Sequence, residues 1–401
     1  MKKQILFVDD DPGILERLSN RLRRQRQKWE MFFVESGKKA LEILETQPMD
    51  VIVSDMRMPE MDGATLLKRV QEKHPHVARI ILSGHAELES ALRAVPVAHQ
   101  FLTKPCEPGV LESVVERACG LQSLLNDEKV RRIVGKIEKL PPVPSVYARL
   151  TSALANEETS IDSVTKILKQ DMALCAKVLQ VVNSGFFRLA RKITRIEDAV
   201  CYLGFNSIRQ LALAAEAFHH PQPGALLIPL GELQSHALLV GNLASQFFEQ
   251  KQMKEDAFVA GLLHDIGKLV MVVELSKLVE LILQVMRKNK VAMHEAEKSL
   301  LGISHAEVGG YLLGLWGLPY PVVEAVANHH DPTRVAASEF GLLAAAHIAD
   351  ALAGELAAGG AVAPPSSRSS LDMKYVESLG VGDRLKKWRE LARGLAESGQ
   401  L

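Results

Sequence analysis

Acidic residues follow two short apolar runs in the first part of the sequence. A stretch of three aspartates, Asp9 to Asp11, comes directly after the run at residues 5–8, and Asp55 comes directly after the run at residues 51–54. If both runs are strands of one parallel sheet, their carboxyl ends bring these carboxylates together. Carboxylates within a few ångströms of each other repel unless a cation neutralises them, and all-oxygen ligation suits Mg²⁺.

A hydroxyl and an ammonium follow two further apolar runs. Ser83 comes after the run at residues 80–82, and Lys104 follows Phe101-Leu102-Thr103. Phosphoryl transfer needs a carboxylate, a magnesium ion, an ammonium and a hydroxyl around one point. The charges hold the equatorial oxygens while the carboxylate attacks phosphorus in line. This pattern predicts a phosphoryl-transfer site.

A second set of side chains offers imidazole nitrogens and carboxylate oxygens. Its densest part is His264-Asp265 within His264-Asp265-Ile266-Gly267-Lys268, and the other members are Glu232, His236, His305, His329, His330 and Asp350. Such sets bind Mn, Fe or Zn, and two such metals can generate hydroxide and clamp a phosphodiester. The alternative is that each histidine is a core residue satisfied by one hydrogen bond, so the metal hypothesis depends on the whole set.

The elements that would position these residues differ between the two parts of the chain. Short apolar runs alternate with helical periods up to about residue 120, which predicts a doubly wound α/β domain with a five-stranded parallel sheet. After about residue 105 no strand pattern returns, and the pattern predicts an all-α domain. The predicted boundaries are 1–122 for the first domain, 123–140 for a linker helix, 141–355 for the helical domain, 356–371 for a Gly/Ala/Pro/Ser loop and 372–401 for a carboxyl-terminal helical segment.

The composition excludes several classes of protein. The 401 residues include 48 Lys and Arg against 48 Asp and Glu, and 47% are apolar, as in ordinary globular domains. Balanced charge argues against a protein whose main task is to coat nucleic acid or an anionic membrane. No apolar run approaches the ~20 residues that cross a bilayer. Four scattered cysteines indicate neither a disulfide scaffold nor a thiolate zinc site. We therefore expect a cytoplasmic, multi-domain protein.

Residues 4–120 resemble the receiver domain of two-component response regulators. The motifs that carry the resemblance are Val8-Asp9-Asp10, the stretch from Ser54-Asp55 to Asp62-Gly63, Ser83-Gly84 and Thr103-Lys104-Pro105. The resemblance implies that Asp55 accepts a phosphoryl group from a histidine kinase and that Asp9, Asp10, Asp55 and the backbone carbonyl of Arg57 hold Mg²⁺. It also implies that Ser83 and Lys104 bind the phosphoryl group, that Phe101 reorients as a switch, and that Arg57 and His85 flank the site.

Residues 135–355 resemble the HDOD domain, a relative of the HD hydrolases that usually serves as a signalling output. The motifs include Val182-Asn183-Ser184, Ser304-His305-Ala306-Glu307-Val308-Gly309 and Leu315-Trp316-Gly317-Leu318-Pro319. The Gly-Tyr-Pro motif of the catalytic HD-GYP relatives is missing after His329-His330. Likeness to HD enzymes nevertheless implies a core metal set of His236, His264, Asp265 and Asp350, extra ligands at Glu232, His305, His329 and His330, and a phosphate contact at Lys268.

We interpret the chain as a response regulator whose helical domain signals by contact with a downstream protein that the sequence does not identify. One alternative is a phosphorylation-regulated, metal-dependent phosphodiesterase acting on a cyclic dinucleotide or nucleotide. Another is a helical domain that binds a nucleotide without cleaving it. The sequence leaves homodimer formation open.

Overall fold

The computed structural model describes residues 2–83, 97–106, 108–121, 134–135, 140, 144–156, 158–184, 189, 191–216, 227–335, 339–359 and 370–397. Most of the predicted linker helix, most of the predicted loop, His85 and the side chain of Ser83 lie outside the described residues. The chain forms two compact units. The first comprises residues 1–139 with 180–192 and 314–317, and the second comprises the remainder.

A five-stranded sheet forms the centre of the first unit. All neighbouring strands are parallel and the order is β2-β1-β3-β4-β5, which confirms the predicted doubly wound fold. The strands are β1 Lys3–Val8, β2 Trp29–Val34, β3 Val51–Asp55, β4 Ala78–Ser83 and β5 Gln100–Thr103. Their apolar side chains are buried, as expected for a sheet that is covered on both faces.

Helices flank this sheet: α1 Pro12–Arg21, α2 Gly37–Thr46, α3 Gly63–Lys73 and α4 Pro108–Leu121, with a 3₁₀ turn at Leu22–Gln27. Side chains cap three of these helices at their first turns, because Asp11, Ser36 and Asp62 each accept a hydrogen bond from a backbone N–H. The caps fix where each helix leaves the carboxyl edge of the sheet, which is the edge that carries the predicted acidic site.

The described residues after α4 form helices and connecting turns with no strand among them, as predicted. The helices are α5 Pro144–Ala155, α6 Ile161–Leu168, α7 Met172–Val182, α8 Ile196–Glu216, α9 Leu230–Ser245, α10 Lys251–Leu263, α11 Ile266–Glu274, α12 Ser276–Asn289, α13 Met293–Leu301, α14 His305–Leu315, α15 Tyr320–Asn328, α16 Leu342–Gly359, α17 Met373–Ser378 and α18 Leu385–Glu397. Helix α16 includes residues 356–359, where the sequence pattern predicted the start of a loop. None of the described helices has the length and apolar composition needed to cross a bilayer.

Close helix packing in the second unit depends on small residues. Helices α9 and α10 meet at Gly241 and Gly261, where a Cβ on Gly261 would lie 2.8 Å from the Cα of Gly241. The carboxyl-terminal helix α18 packs against α9 and α16, and the Trp388 ring lies 4.3 Å from that of Phe247 between centroids. Helices α9, α10 and α16 therefore form a tight group that holds several of the predicted metal ligands.

Gly63 allows helix α3 to start directly beneath the end of β3. Its N–H donates a 2.9 Å hydrogen bond to the carbonyl of Met56, and a Cβ at this position would lie 2.1 Å from the backbone oxygen of Asp55. A side chain here would therefore have to displace the strand end that carries Asp55.

We expect Gly63→Ala to lower the free energy of unfolding by about 1–3 kcal/mol, the usual cost of overpacking. Gly109→Ala is the matched control, because that helical glycine has open space around its Cβ position. Alanine at position 109 should be neutral or stabilising by about 0.5–1 kcal/mol. Urea unfolding followed by circular dichroism measures both effects, and equal stability of the two variants would contradict the steric argument.

Candidate functional site

The predicted acidic site lies at the carboxyl edge of the sheet. Asp9 follows β1 and Asp55 ends β3, and these neighbouring strands pair Val8 with Ser54. Lys104 follows β5 at the same edge. The parallel topology therefore brings together residues that are up to 95 positions apart in sequence.

Lys104 bridges the two buried carboxylates. Its Nζ lies 2.6 Å from Asp9 Oδ2 and also contacts Asp55 Oδ1. The backbone N–H of Arg57 donates a 2.6 Å hydrogen bond to Asp55 Oδ2. Asp9 is 2% exposed and Asp55 6%, whereas Asp10 is exposed at the rim. The site thus offers two buried carboxylates, a lysine ammonium between them and a third carboxylate, that of Asp10, open to solvent.

Burial and the lysine act in opposite directions on this site. Burial raises the pKa of Asp55, and the hydrogen bond from Lys104 only partly offsets that effect. Burial works against the charge on Lys104, but Asp55 and Asp9 outweigh it and raise the pKa of the lysine. Carboxylates in such a place need a cation, so the donor set of carboxylate and carbonyl oxygens fits Mg²⁺. Phe101 is 3% exposed, and it lies on β5 opposite Ile81 of β4.

The histidines and aspartates of the second unit converge into two adjacent groups. Within each group the ligand atoms lie within 4.8 Å of one another. The first group, here called group A, consists of Asp265, His305, His329 and His330, and the second, group B, of His236, His264 and Asp350. They come from α9, the junction of α10 and α11, the start of α14, the end of α15, and α16.

Asp265 links the two groups through its two oxygens. Oδ1 lies 3.2 Å from His305 Nε2 in group A, and Oδ2 lies 3.3 Å from His264 Nε2 in group B. Group B is also held by Asp350 Oδ1, which lies 3.0 Å from His236 Nε2. A carboxylate in this position can bridge two metal ions.

Four buried atoms of the two groups make no hydrogen bond to the described residues: His264 Nε2, Asp265 Oδ1, His329 Nε2 and Asp350 Oδ2. Buried polar atoms without partners are costly and are usually satisfied by an ion or water. All four are potential ligand atoms of groups A and B, so this observation supports a metal centre over satisfied core histidines.

Backbone carbonyls orient two of the imidazoles. His264 Nδ1 lies 2.6 Å from the carbonyl of Gly261, and His329 Nδ1 lies 2.8 Å from the carbonyl of Val326. A carbonyl can only accept, so each Nδ1 carries a proton and each Nε2 is directed away from that carbonyl. An imidazole held in this way binds a metal through Nε2 once that nitrogen is deprotonated.

The two aspartates govern the charges of the side chains around them. Burial opposes a charge on His264, but Asp265 and Asp350 outweigh it and raise the pKa of His264 to about 10. Burial would also raise the pKa of Asp265, yet His264 and Lys268 hold that pKa well below its usual value. Burial and the neighbouring histidines lower the pKa of His329 and His330. Two carboxylates held ionised in a buried site, beside the neutral imidazoles of His329 and His330, favour a bound cation.

Two other residues predicted at this site belong to neither group. Glu232 is exposed on α9 and belongs to neither group, although it is one turn from His236. Lys268 is 4% exposed, and its Nζ lies 2.6 Å from Asp265 Oδ2, where it neutralises that carboxylate. Its role as a phosphate contact remains a prediction.

Sequence reasoning missed two residues that support the ligands. His347 Nδ1 lies 2.7 Å from the carbonyl of His329, and its Nε2 accepts a 3.0 Å hydrogen bond from the N–H of Asp372. Glu297 is fully buried and contacts His305. One signal was available for Glu297, because it falls on the same helical face as the apolar residues Met293 and Ala296.

Comparisons with known proteins match both parts of the chain. Residues 5–116 match the response regulator receiver domain, and residues 140–332 match the HDOD domain. The transcriptional regulatory protein GlrR of Escherichia coli K12 is 34% identical over 131 residues, which are 32% of this chain and 29% of GlrR. The DNA-binding transcriptional regulator NtrC of Klebsiella pneumoniae is 38% identical over 113 residues, 28% of this chain and 24% of NtrC. The chain thus spans less than a third of the length of these two relatives.

Among solved structures, the MmoQ response regulator of Methylococcus capsulatus aligns with 63% of this chain and 98% of its own, at 18% identity and a TM-score of 0.48. The signal receiver domain of an HD domain-containing protein from Pseudomonas fluorescens aligns with 31% of this chain and 98% of its own, at 29% identity and a TM-score of 0.30.

We expect the metal-free protein to lose stability as the pH rises from 7 to 10. The pKa of His264 is about 10 in the folded chain and 6.5 in its ordinary state. Because the folded chain binds the His264 proton more tightly than the unfolded chain, protonated His264 stabilises the fold. This contribution is complete below pH 6.5 and is lost as the pH passes 10. Thermal unfolding in a chelator at several pH values measures this slope, and His264→Gln should flatten it. A wild-type stability that is constant or rises over this range would contradict the assignment.

Proposed function

Because the chain joins a response regulator receiver domain at residues 5–116 to an HDOD domain at residues 140–332, we propose that it is a phosphorelay regulator in which phosphorylation of Asp55 controls the output of the helical part. The observation that supports this most directly is the contact of Lys104 with both buried carboxylates, Asp9 and Asp55. The phosphoryl donor in this proposal is a phosphohistidine of a histidine kinase.

The transfer uses groups at the carboxyl edge of the sheet. Asp55 Oδ1 attacks phosphorus in line, the new O–P bond forms as the P–N bond to the donor histidine breaks, and the histidine leaves with its electron pair. Asp9, Asp10, Asp55 and the Arg57 carbonyl would hold Mg²⁺, which supplies positive charge to the phosphoryl oxygens. Burial keeps water from Asp55, and the N–H of Arg57 keeps its other oxygen in place.

Lys104 connects the chemistry to a change in shape. It contacts Asp55 in the unphosphorylated protein, and a phosphoryl group on Asp55 would give it a more highly charged partner. Ser83 and Phe101 would then follow the phosphoryl group and shift the domain between two populated states. The output is a changed contact with a downstream protein.

We further propose that groups A and B hold two transition-metal ions, Mn, Fe or Zn, with Asp265 bridging them. The four unsatisfied ligand atoms and the two orienting carbonyls support this proposal. The metals would tie together five helical segments of the output domain. His264, Asp265, His305 and His329 are fully buried and only His236 and His330 of the two groups are partly exposed, so a cyclic dinucleotide could reach few of the ligands directly. We therefore favour a structural or regulatory centre over a phosphodiesterase.

Incubation with acetyl phosphate and Mg²⁺ should add one phosphoryl group to the intact mass of the wild type. Asp55→Asn should abolish the mass gain, because the nucleophilic oxygen is lost, and a chelator should prevent it. Asp62→Asn is the matched control in the same segment, since asparagine also caps a helix. An unchanged wild-type mass, or a gain that survives in Asp55→Asn, would exclude the proposed acceptor.

Protein purified from cells grown with added Mn, Fe or Zn should contain about two metal ions per chain, counted by elemental mass spectrometry. Asp265→Ala should lower the content below one ion, because the two oxygens of this carboxylate lie beside His305 of group A and His264 of group B. The exposed Asp383→Asn should leave it unchanged. Metal-free wild type would end this proposal, and turnover of a cyclic dinucleotide that vanishes in Asp265→Ala would establish the phosphodiesterase instead.

A further inference from the structure

Glu297 is a buried carboxylate on α13 with an unusual partner. It is 0% exposed, and its Oε2 accepts hydrogen bonds from the backbone N–H of His305 at 2.8 Å and from the Nδ1 of the same residue at 2.7 Å. Removing a carboxylate from water is costly unless hydrogen bonds or a nearby positive charge compensate it. Both hydrogen bonds of this oxygen go to one histidine, so Glu297 fixes the position and the ring orientation of His305.

In this fixed orientation the Nε2 of His305 faces the other members of group A. Its Nε2 lies 3.2 Å from Asp265 Oδ1 and 2.9 Å from His330 Nε2. The backbone of His305 is held as well, because its carbonyl packs on Gly267, where a Cβ would lie only 1.9 Å away. This close approach holds the start of helix α14 against Gly267.

The partner of His305 differs in charge from those of the neighbouring ligands. His264 and His329 direct Nδ1 at neutral backbone carbonyls, whereas His305 directs it at a carboxylate. A carboxylate that accepts a hydrogen bond from the Nδ1 of an imidazole pulls on that proton. The ring becomes more basic, and its Nε2 becomes a stronger donor to a metal. This added donor strength belongs to group A, since His305 is not a member of group B.

We propose that Glu297 is a positioning residue that selectively strengthens metal binding by group A through His305. The inference rests on the two-metal centre proposed above and assigns its two halves unequal affinities. The exchangeable ion would be that of group B, while the group A ion would stay in place.

The competing explanation is that Glu297 only joins α13 to α14. A purely structural ion pair would change the stability of the metal-free fold and would weaken both metal sites together or neither. A positioning role predicts a loss confined to one site, and it predicts that the loss disappears when His305 is absent.

The experiment titrates chelator-treated full-length protein with Zn²⁺ in a calorimeter and counts bound ions by elemental mass spectrometry. E297Q should weaken one of the two sites by about 10–100-fold and leave the other unchanged. E295Q is the matched control on the same helix, because Glu295 is exposed and caps the N–H of Ala292, a bond that glutamine can also make. In an H305A background, E297Q should cause no further loss. If E297Q does not fold, E297D takes its place, since it keeps the charge but withdraws it by one methylene.

Wild type that binds no Zn²⁺ would overturn the two-metal proposal itself. Wild type that binds two ions, together with E297Q that binds both with unchanged affinity, would overturn only the role of Glu297. Equal weakening of both sites in E297Q, or a further loss in the H305A background, would also overturn it in favour of the structural explanation.

Discussion

The helical part is organised around one buried carboxylate, that of Asp265. Its side chain is fully excluded from water, and its two oxygens face His305 on one side and His264 with Lys268 on the other. A charge in such a place is tolerable only if positive charge surrounds it. The surrounding segments come from distant parts of the chain, so the neutralisation of this carboxylate joins local chemistry to the packing of the domain. The acidic site of the receiver follows the same rule with Lys104 as the cation.

The sequence was sufficient for the fold class, and it predicted most of the residues that the structure brings together at the two candidate sites. Short apolar runs without alternation predicted strands buried on both faces, and the structure confirms a parallel five-stranded sheet. The position of Asp55 and Lys104 at strand ends followed from the same pattern. Adjacent His264 and Asp265 and the pair His329-His330 identified the helical set, because two neighbouring ligands in a row are harder to explain as separate core residues.

What the sequence could not supply was the direction in which each side chain points. Glu232 and His236 are one turn apart, so periodicity placed both at the metal set, but in the structure Glu232 is exposed while His236 is partly buried and joins group B. Glu297 and His347 were missed for the opposite reason. Their roles depend on contacts between helices, with His305 eight residues from Glu297 and Asp372 twenty-five residues from His347. Pairings of this kind leave no regular spacing in a single sequence.

The hydrogen bonds of His347 have a practical bearing on how the helical domain is dissected. They run from the carbonyl of His329 to the N–H of Asp372, and Asp372 in turn caps α17. The HDOD match ends at residue 332, before His347, Asp350 and this cap. A fragment that ends at residue 332 would therefore lack the ligand Asp350. It would also lack His347, which holds the backbone carbonyl of the ligand His329. Biochemical work on the isolated output half would need the chain to continue through α18, with affinity tags kept away from that end.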